Sequence, residues 1–153
     1  MLALAFHIGD ERFALGCADV IEVVPRVHLR DIPHAPSFIA GMLRYRGAVV
    51  PVIDLCLLTG RDACPERLSS RIILLRYRGR DGGERHLGVL AERVTDTVNL
   101  DRETAVPPGI ALPEAPYLGE LYTENGQLVQ LLRIERLLDG PIGDLLAAQT
   151  EPA

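Results

Sequence analysis

Two carboxylates in apolar company, Glu22 and Asp54, are candidates for proton exchange in this sequence, and a turn arginine, Arg46, is a candidate for gripping an anion. Acid–base catalysis by a carboxylate pair needs a pocket that holds both groups against a substrate. Here no pocket-building glycines or further polar residues converge on Glu22 and Asp54. The four histidines, His7, His28, His34 and His86, form no HxH or HExxH spacing, and no CxxC occurs. Without such ligand spacing neither a metal site nor a cofactor is expected. Cys56 lies in the apolar run LCLL, Cys64 in a polar connection, and Cys17 makes the count three. An odd number without paired spacing is expected to stay as reduced thiols. The run Gly79–Gly83 is glycine-rich, yet it lacks the Lys-Ser/Thr and the following helix of a phosphate-binding loop. What remains is recognition. Two readings stay open: Glu22 and Arg46 as ordinary solvent-facing residues, or the fork of Arg46 holding a carboxylate such as Glu22 and so fixing an apolar surface formed by Val20, Leu43 and their neighbours for a partner protein.

The elements that must position these residues centre on 41–55, GMLRYRGAVVPVIDL. Leu43 and Tyr45 alternate with Arg44 and Arg46, the period of a half-buried strand. Arg46-Gly47 is a turn, and Val49, Val50, Val52 and Ile53 place apolar side chains on both faces of the returning strand. Pro51 withholds an N–H and must lie where pairing is absent on that side. Asp54 stands at the N-cap of a helical turn over 55–59 that ends at Gly60.

Around this hairpin the chain reads as short strands. LALAFHI (2–8) and 12–15 form an opening hairpin, and 17–24 begins as a helical turn and runs into a strand. After prolines 25, 33 and 36, residues 37–40 are expected to make one helical turn. The polar stretch 60–70 connects two halves. Strands are expected at 71–78, at 85–90, with a close approach at Gly88, and again through Val94, Thr97 and Val98. A Pro/Ala/Gly-rich crossing spans 104–116, and strands 117–122 and 127–132 flank Asn125-Gly126, a strong hairpin signal. Short helices over 134–138 and 142–149, the latter with Leu145 and Leu146 inward, close the chain, and the last four residues should fray. GMLRYRGAVVPVIDLCLL (41–58) resembles GELYTENGQLVQLLRIERLL (119–138), so two small closed barrels packed side by side are expected.

With 153 residues, of which 48% are hydrophobic, the chain can bury a real core. Sixteen basic against 21 acidic residues give a charge of −5 with no basic run, which argues against nucleic acid as a partner. The apolar start MLALAF meets His7, Asp10 and Glu11 too soon for a membrane span or a signal peptide, and a cytoplasmic location is expected.

At GDERFAL (9–15), Val20-x-Glu22-Val23, IPHAPSFIAGMLRYRGAVVPVIDL (32–55), HLGVLAERV (86–94) and YLGELYTENGQLVQLLRIERLL (117–138), the chain resembles the CheW family of chemotaxis coupling proteins. The resemblance implies an all-β fold of two five-stranded, SH3-like barrel subdomains with short helices. These would form a single domain over 1–153, divided at about 12–70 and about 71–138, with the N-terminal strand and C-terminal helix packing across. It further implies a non-enzymatic adaptor, without a cofactor, that couples the cytoplasmic tip of a methyl-accepting chemoreceptor to the regulatory domain of a CheA-like histidine kinase. Such an adaptor is recruited to membrane-associated arrays without inserting into the membrane. Val20, Glu22 and Arg46 then fall on coupling positions. Leu43, Val49, Val52, Ile53 and Asp54 fall on the first barrel, which faces the kinase, and Val94 and Val98 fall beside a groove between barrels that faces the receptor. The alternatives are a stand-alone regulatory domain that binds a receptor without activating a kinase, and a small-molecule enzyme. Arg44-Tyr45, Cys56, Ala91-Glu92 and Arg133 depart from the family pattern and bear on which partners are chosen.

Overall fold

The computed structural model describes residues 1–138 and 141–147, with only the backbone described for Thr95, Pro141 and Ala147. The expected fraying of the last four residues lies outside that range. Among the described residues nine strands and three short helices follow one another: β1 (Leu2–Ile8), β2 (Glu11–Gly16), β3 (Val20–Pro25), β4 (Ile39–Tyr45), β5 (Ala48–Asp54), α1 (Leu55–Leu58), β6 (Arg71–Arg78), β7 (Glu84–Asn99), β8 (Leu118–Glu124), β9 (Gln127–Leu132), α2 (Ile134–Leu137) and α3 (Pro141–Ala147).

The sheet is continuous and open, which corrects the expectation of closed barrels. Its strands run β3-β6-β7-β1-β2-β9-β8, with β5 attached to β7 and β4 to β5. Two five-stranded groups share β7: β3-β6-β7-β5-β4, and β7-β1-β2-β9-β8. Closure would require β3 to pair with β4 and β7 with β8, and neither pairing is present among the described residues. The proline-bearing crossings explain why. Arg30 exchanges two backbone hydrogen bonds with Met42 and so occupies the outer edge of β4, and Val106 does the same to Leu121 of β8. Prolines 25, 33 and 36 flank the first crossing and prolines 107 and 108 follow Val106, so each crossing extends to a single bridge instead of a full strand. The outer edges of β4 and β8 are thus each met by a loop at one bridge, which protects them in part without closing a barrel.

β7 is one sixteen-residue strand where the sequence suggested two. Its first part, 84–91, pairs with β6, and its second pairs with β1 from Glu92 to Asn99. Arg93 at the change of partner has φ 49°, a left-handed kink within the strand. The β1–β2 hairpin belongs to the second group and the β6–β7 hairpin to the first, so the halves exchange hairpins. The expected division near residue 70 falls between β5 and β6 of one group.

Local corrections follow from the same pairing. Residues 39 and 40 are strand, because Ile39 registers with Ile53; only the preceding residues form a turn. Leu146 is buried but Leu145 is 43% exposed, so one of the two leucines faces inward. Gly88 is the close approach its type suggested: a Cβ there would stand 3.0 Å from both Ile72 Cγ2 and Val52 Cγ2. A core running through both groups joins Phe6, Leu15 and Leu132 to Val52, Ile53, Leu74 and Leu90. Each such side chain contributes about 1.5–3 kcal/mol on burial.

Candidate interaction surface

The β4–β5 hairpin turns through Arg46 (φ 50°) and Gly47 (φ 82°), two left-handed residues that match the twist of a tight hairpin. This geometry holds the exposed Arg46 guanidinium over the ring of Tyr45, 5.1 Å from its centroid. No ion pair or hydrogen bond joins Arg46 to Glu22, so of the two readings of Glu22 the solvent-facing one stands and the pairing does not. The topology explains it: Glu22 is on β3 and Arg46 follows β4, the two opposite ends of the first group. Both charges face solvent separately.

The remaining expected residues divide by burial. Val49 is 61% exposed beside the Arg46 turn, and Val20, Leu43 and Val98 are half-buried at strand edges. Val52 and Ile53 are wholly buried, Val94 is 1% exposed and Asp54 2%. Asp54 is therefore a structural carboxylate. Its Oδ1 accepts from Cys56 N at 2.9 Å and Leu57 N at 3.2 Å, capping α1, and its Oδ2 accepts from Cys64 N at 3.0 Å. Pro51 lies one residue ahead of Val52–Asp54, the stretch of β5 that pairs with β7, as its missing N–H requires.

Three features were not expected from the sequence: a disulfide, an arginine–glutamate pair and the groove beside it. Cys56 and Cys64 are joined in a disulfide, their Cα atoms 5.4 Å apart, which corrects the expectation of reduced thiols. The cap at Asp54 and the stop at Gly60 were its legible signal, since together they send the chain back past α1. Cys17 is free, and burial pushes its thiol up, away from reactivity. In the second group, Arg133 Nε donates to Glu120 Oε1 at 3.0 Å and its Nη2 to Oε2 in a bidentate pair. The arginine hydrogen bond, outweighing desolvation, holds the Glu120 carboxyl below its usual range. This pair borders a groove of about 600 Å³, lined by Pro108, Ile110, Leu112, Leu118 and Arg136 under the 104–116 crossing. The junction of the groups, by contrast, is filled: Leu15, Leu55, Val89, Tyr117 and Leu132 leave about 10 Å³ between them. At the rim of the second group, burial and then Arg93 and Arg12 hold the His7 imidazole below its ordinary value.

Charges are exposed on an open sheet and a hairpin displays one arginine, while the Asp54 carboxylate is buried and committed to backbone amides. Residues 2–141 match the model of the CheW-like domain. The chain belongs to the CheW-like domain family. It is 26% identical over 140 residues to the chemotaxis protein CheW of Helicobacter pylori, covering 88% of this chain and 79% of that one. It is also 29% identical over 136 residues to the probable chemotaxis protein CheW of Rhizobium etli, covering 88% and 84%. Among solved structures it resembles the scaffolding protein TtCheW from Thermoanaerobacter tengcongensis, with TM-score 0.76 and 25% identity over 87% of this chain and 84% of that one. As a CheW-like protein the chain is a non-enzymatic adaptor in chemotaxis signalling. Members of the family generally bridge a CheA kinase and methyl-accepting chemoreceptors. Among the described residues no helix is long and apolar enough to cross a membrane.

Proposed function

We propose that this CheW-like chain couples the cytoplasmic tip of a methyl-accepting chemoreceptor to the regulatory domain of a CheA-like kinase, as one domain recruited from the cytoplasm to receptor arrays. Arg46, Val49 and Glu22 touch the partners directly. Val20, Leu43 and Val98 border the contact, and the buried Val52, Ile53, Asp54 and Val94 hold the displaying strands in place. The observation that carries this reading is the Arg46 turn: a left-handed position where glycine or asparagine is easier holds instead an exposed arginine beside an exposed valine.

The test compares the wild-type protein with Arg46→Glu for capture of a purified kinase regulatory domain and a receptor cytoplasmic fragment. The variant is expected to melt within about 2 °C of wild type, as a surface change should. Its affinity for at least one partner should fall roughly tenfold or more, the effect of inverting one contact charge. A folded variant that captures both partners as wild type does removes Arg46 from the contact.

A further inference from the structure

The connection from α1 to β6 is pinned at several points. Within it, Cys64 gives its amide to Asp54, and Arg26 Nη1 donates to the carbonyls of Cys64 at 2.6 Å and Pro65 at 3.2 Å. Arg61 reaches across to the other group and donates to Ile8 O at 2.6 Å. It covers the turn at Gly9 so closely that a Cβ there would overlap its Nη1. Gly9 N in turn donates to Glu92 Oε2 at 2.7 Å. The segment is thus a clasp between the β1–β2 turn and α1, and the Cys56–Cys64 bond lies at its root with both cysteines 2% exposed.

The surroundings suit the reduced pair as well as the bonded one. Asp54 Oδ1 lies 3.1 Å from Cys64 Sγ and Glu92 Oε2 lies 3.5 Å from Cys56 Sγ. On reduction each thiol finds an acceptor already in place, and no buried polar group is orphaned. We propose that Cys56 and Cys64 form a reversible thiol–disulfide site that locks and releases the 59–66 clasp between the two sheet groups. Low-molecular-weight disulfides and thiols are its oxidant and reductant. Opening of the exposed loop at Gly60–Ala63 gives them access. In oxidation one protein thiolate attacks a sulfur of the small disulfide, forming a mixed disulfide and expelling one small thiolate. The other protein thiolate then attacks the protein-side sulfur, closing Cys56–Cys64 and expelling the second. The two protons from the cysteines end on the expelled thiolates, and the small disulfide is reduced by two electrons as the cysteine pair is oxidised. The site does not depend on which partners the protein couples.

The experiment equilibrates full-length protein with oxidised glutathione or with dithiothreitol, denatures it in excess alkylating agent and weighs it. One alkyl group, on Cys17, is expected after glutathione, and three after dithiothreitol, with a Cys56–Cys64 linked peptide in the oxidised digest only. Trypsin cleavage of the folded protein after Arg61 should be roughly ten- to a hundredfold slower when oxidised, the scale of closing a short loop covalently. Cys64→Ser should remove the difference and Cys17→Ser should keep it. Three alkyl groups after glutathione, a link through Cys17, equal cleavage rates in the two states, or a divalent metal retained stoichiometrically by the reduced pair would each overturn the proposal.

Discussion

The two hairpins with their following helices, β4–β5–α1 and β8–β9–α2, share one plan and differ in what fastens it. Each turns through two left-handed residues, Arg46-Gly47 and Asn125-Gly126. Each has a register shift at a glycine of its first strand, Gly41 and Gly119. The second strand of each pairs in parallel with a strand from the exchanged hairpin, β5 with β7 and β9 with β2. The first copy is fastened from inside, by the Asp54 cap and the disulfide. The second has no side-chain cap at Arg133 and is fastened at the surface by the Arg133–Glu120 pair. The same backbone plan is thus held by buried contacts in the half that displays Arg46, and by a partly exposed ion pair in the half that carries the groove.

Because of that difference, Asp54→Ala should have the largest effect. Three amides lose their acceptor, and the cost in urea unfolding is expected to be about 3–4 kcal/mol. Arg133→Ala, at the matching cap position, should cost no more than about 1 kcal/mol, since its pair is a third exposed. Equal costs would break the comparison. Next come the glycines. Gly41 has φ 143° and a Cβ there would stand 2.7 Å from Arg30 O, so Gly41→Ala should cost about 2–3 kcal/mol. Gly119→Ala, strained only by a 2.9 Å approach to Leu131 O, should cost about half as much, roughly 1–2 kcal/mol. Smaller again is the turn. Arg46→Asn, which copies the second hairpin, should raise stability by about 0.5–1 kcal/mol while weakening partner binding, because asparagine tolerates the left-handed conformation better.

The smallest effect is on pH dependence. The folded-state pKa of Glu120 is depressed, so the stability it contributes is present above the unfolded carboxylate value of about 4.3 and is lost as pH falls through the lowered folded value. Glu120→Gln should flatten the acid limb of a melting-temperature profile in that window. An unchanged limb would show that the pair contributes nothing there.

The hairpins, the Asn125-Gly126 turn, the Asp54 cap and the likeness of the two halves were legible because each rests on local spacing: alternation, a glycine after a left-handed residue, a carboxylate ahead of a helical turn. Closure was not legible, because whether β3 reaches β4 depends on where Arg30 sits in the crossing, a contact set by the prolines on either side. The exchange of hairpins was hidden for a similar reason, since β7 serves both groups through a kink at Arg93 that no glycine announces. The Arg46–Glu22 pairing failed on topology: two charges set in apolar strands look like partners until the strand order places them at opposite edges. The disulfide was hidden by an odd cysteine count without paired spacing, which conceals a pair until the fold brings Cys64 back to Cys56.

The most direct measurement of the coupling role mixes a purified receptor cytoplasmic assembly, a CheA-type kinase and this protein, and follows kinase sedimentation and autophosphorylation with and without it. Kinase that sediments with the receptor and gains receptor-dependent activity only when the protein is present is the predicted result. Kinase that sediments and is activated equally without it, or in neither case, would contradict the adaptor role for these partners.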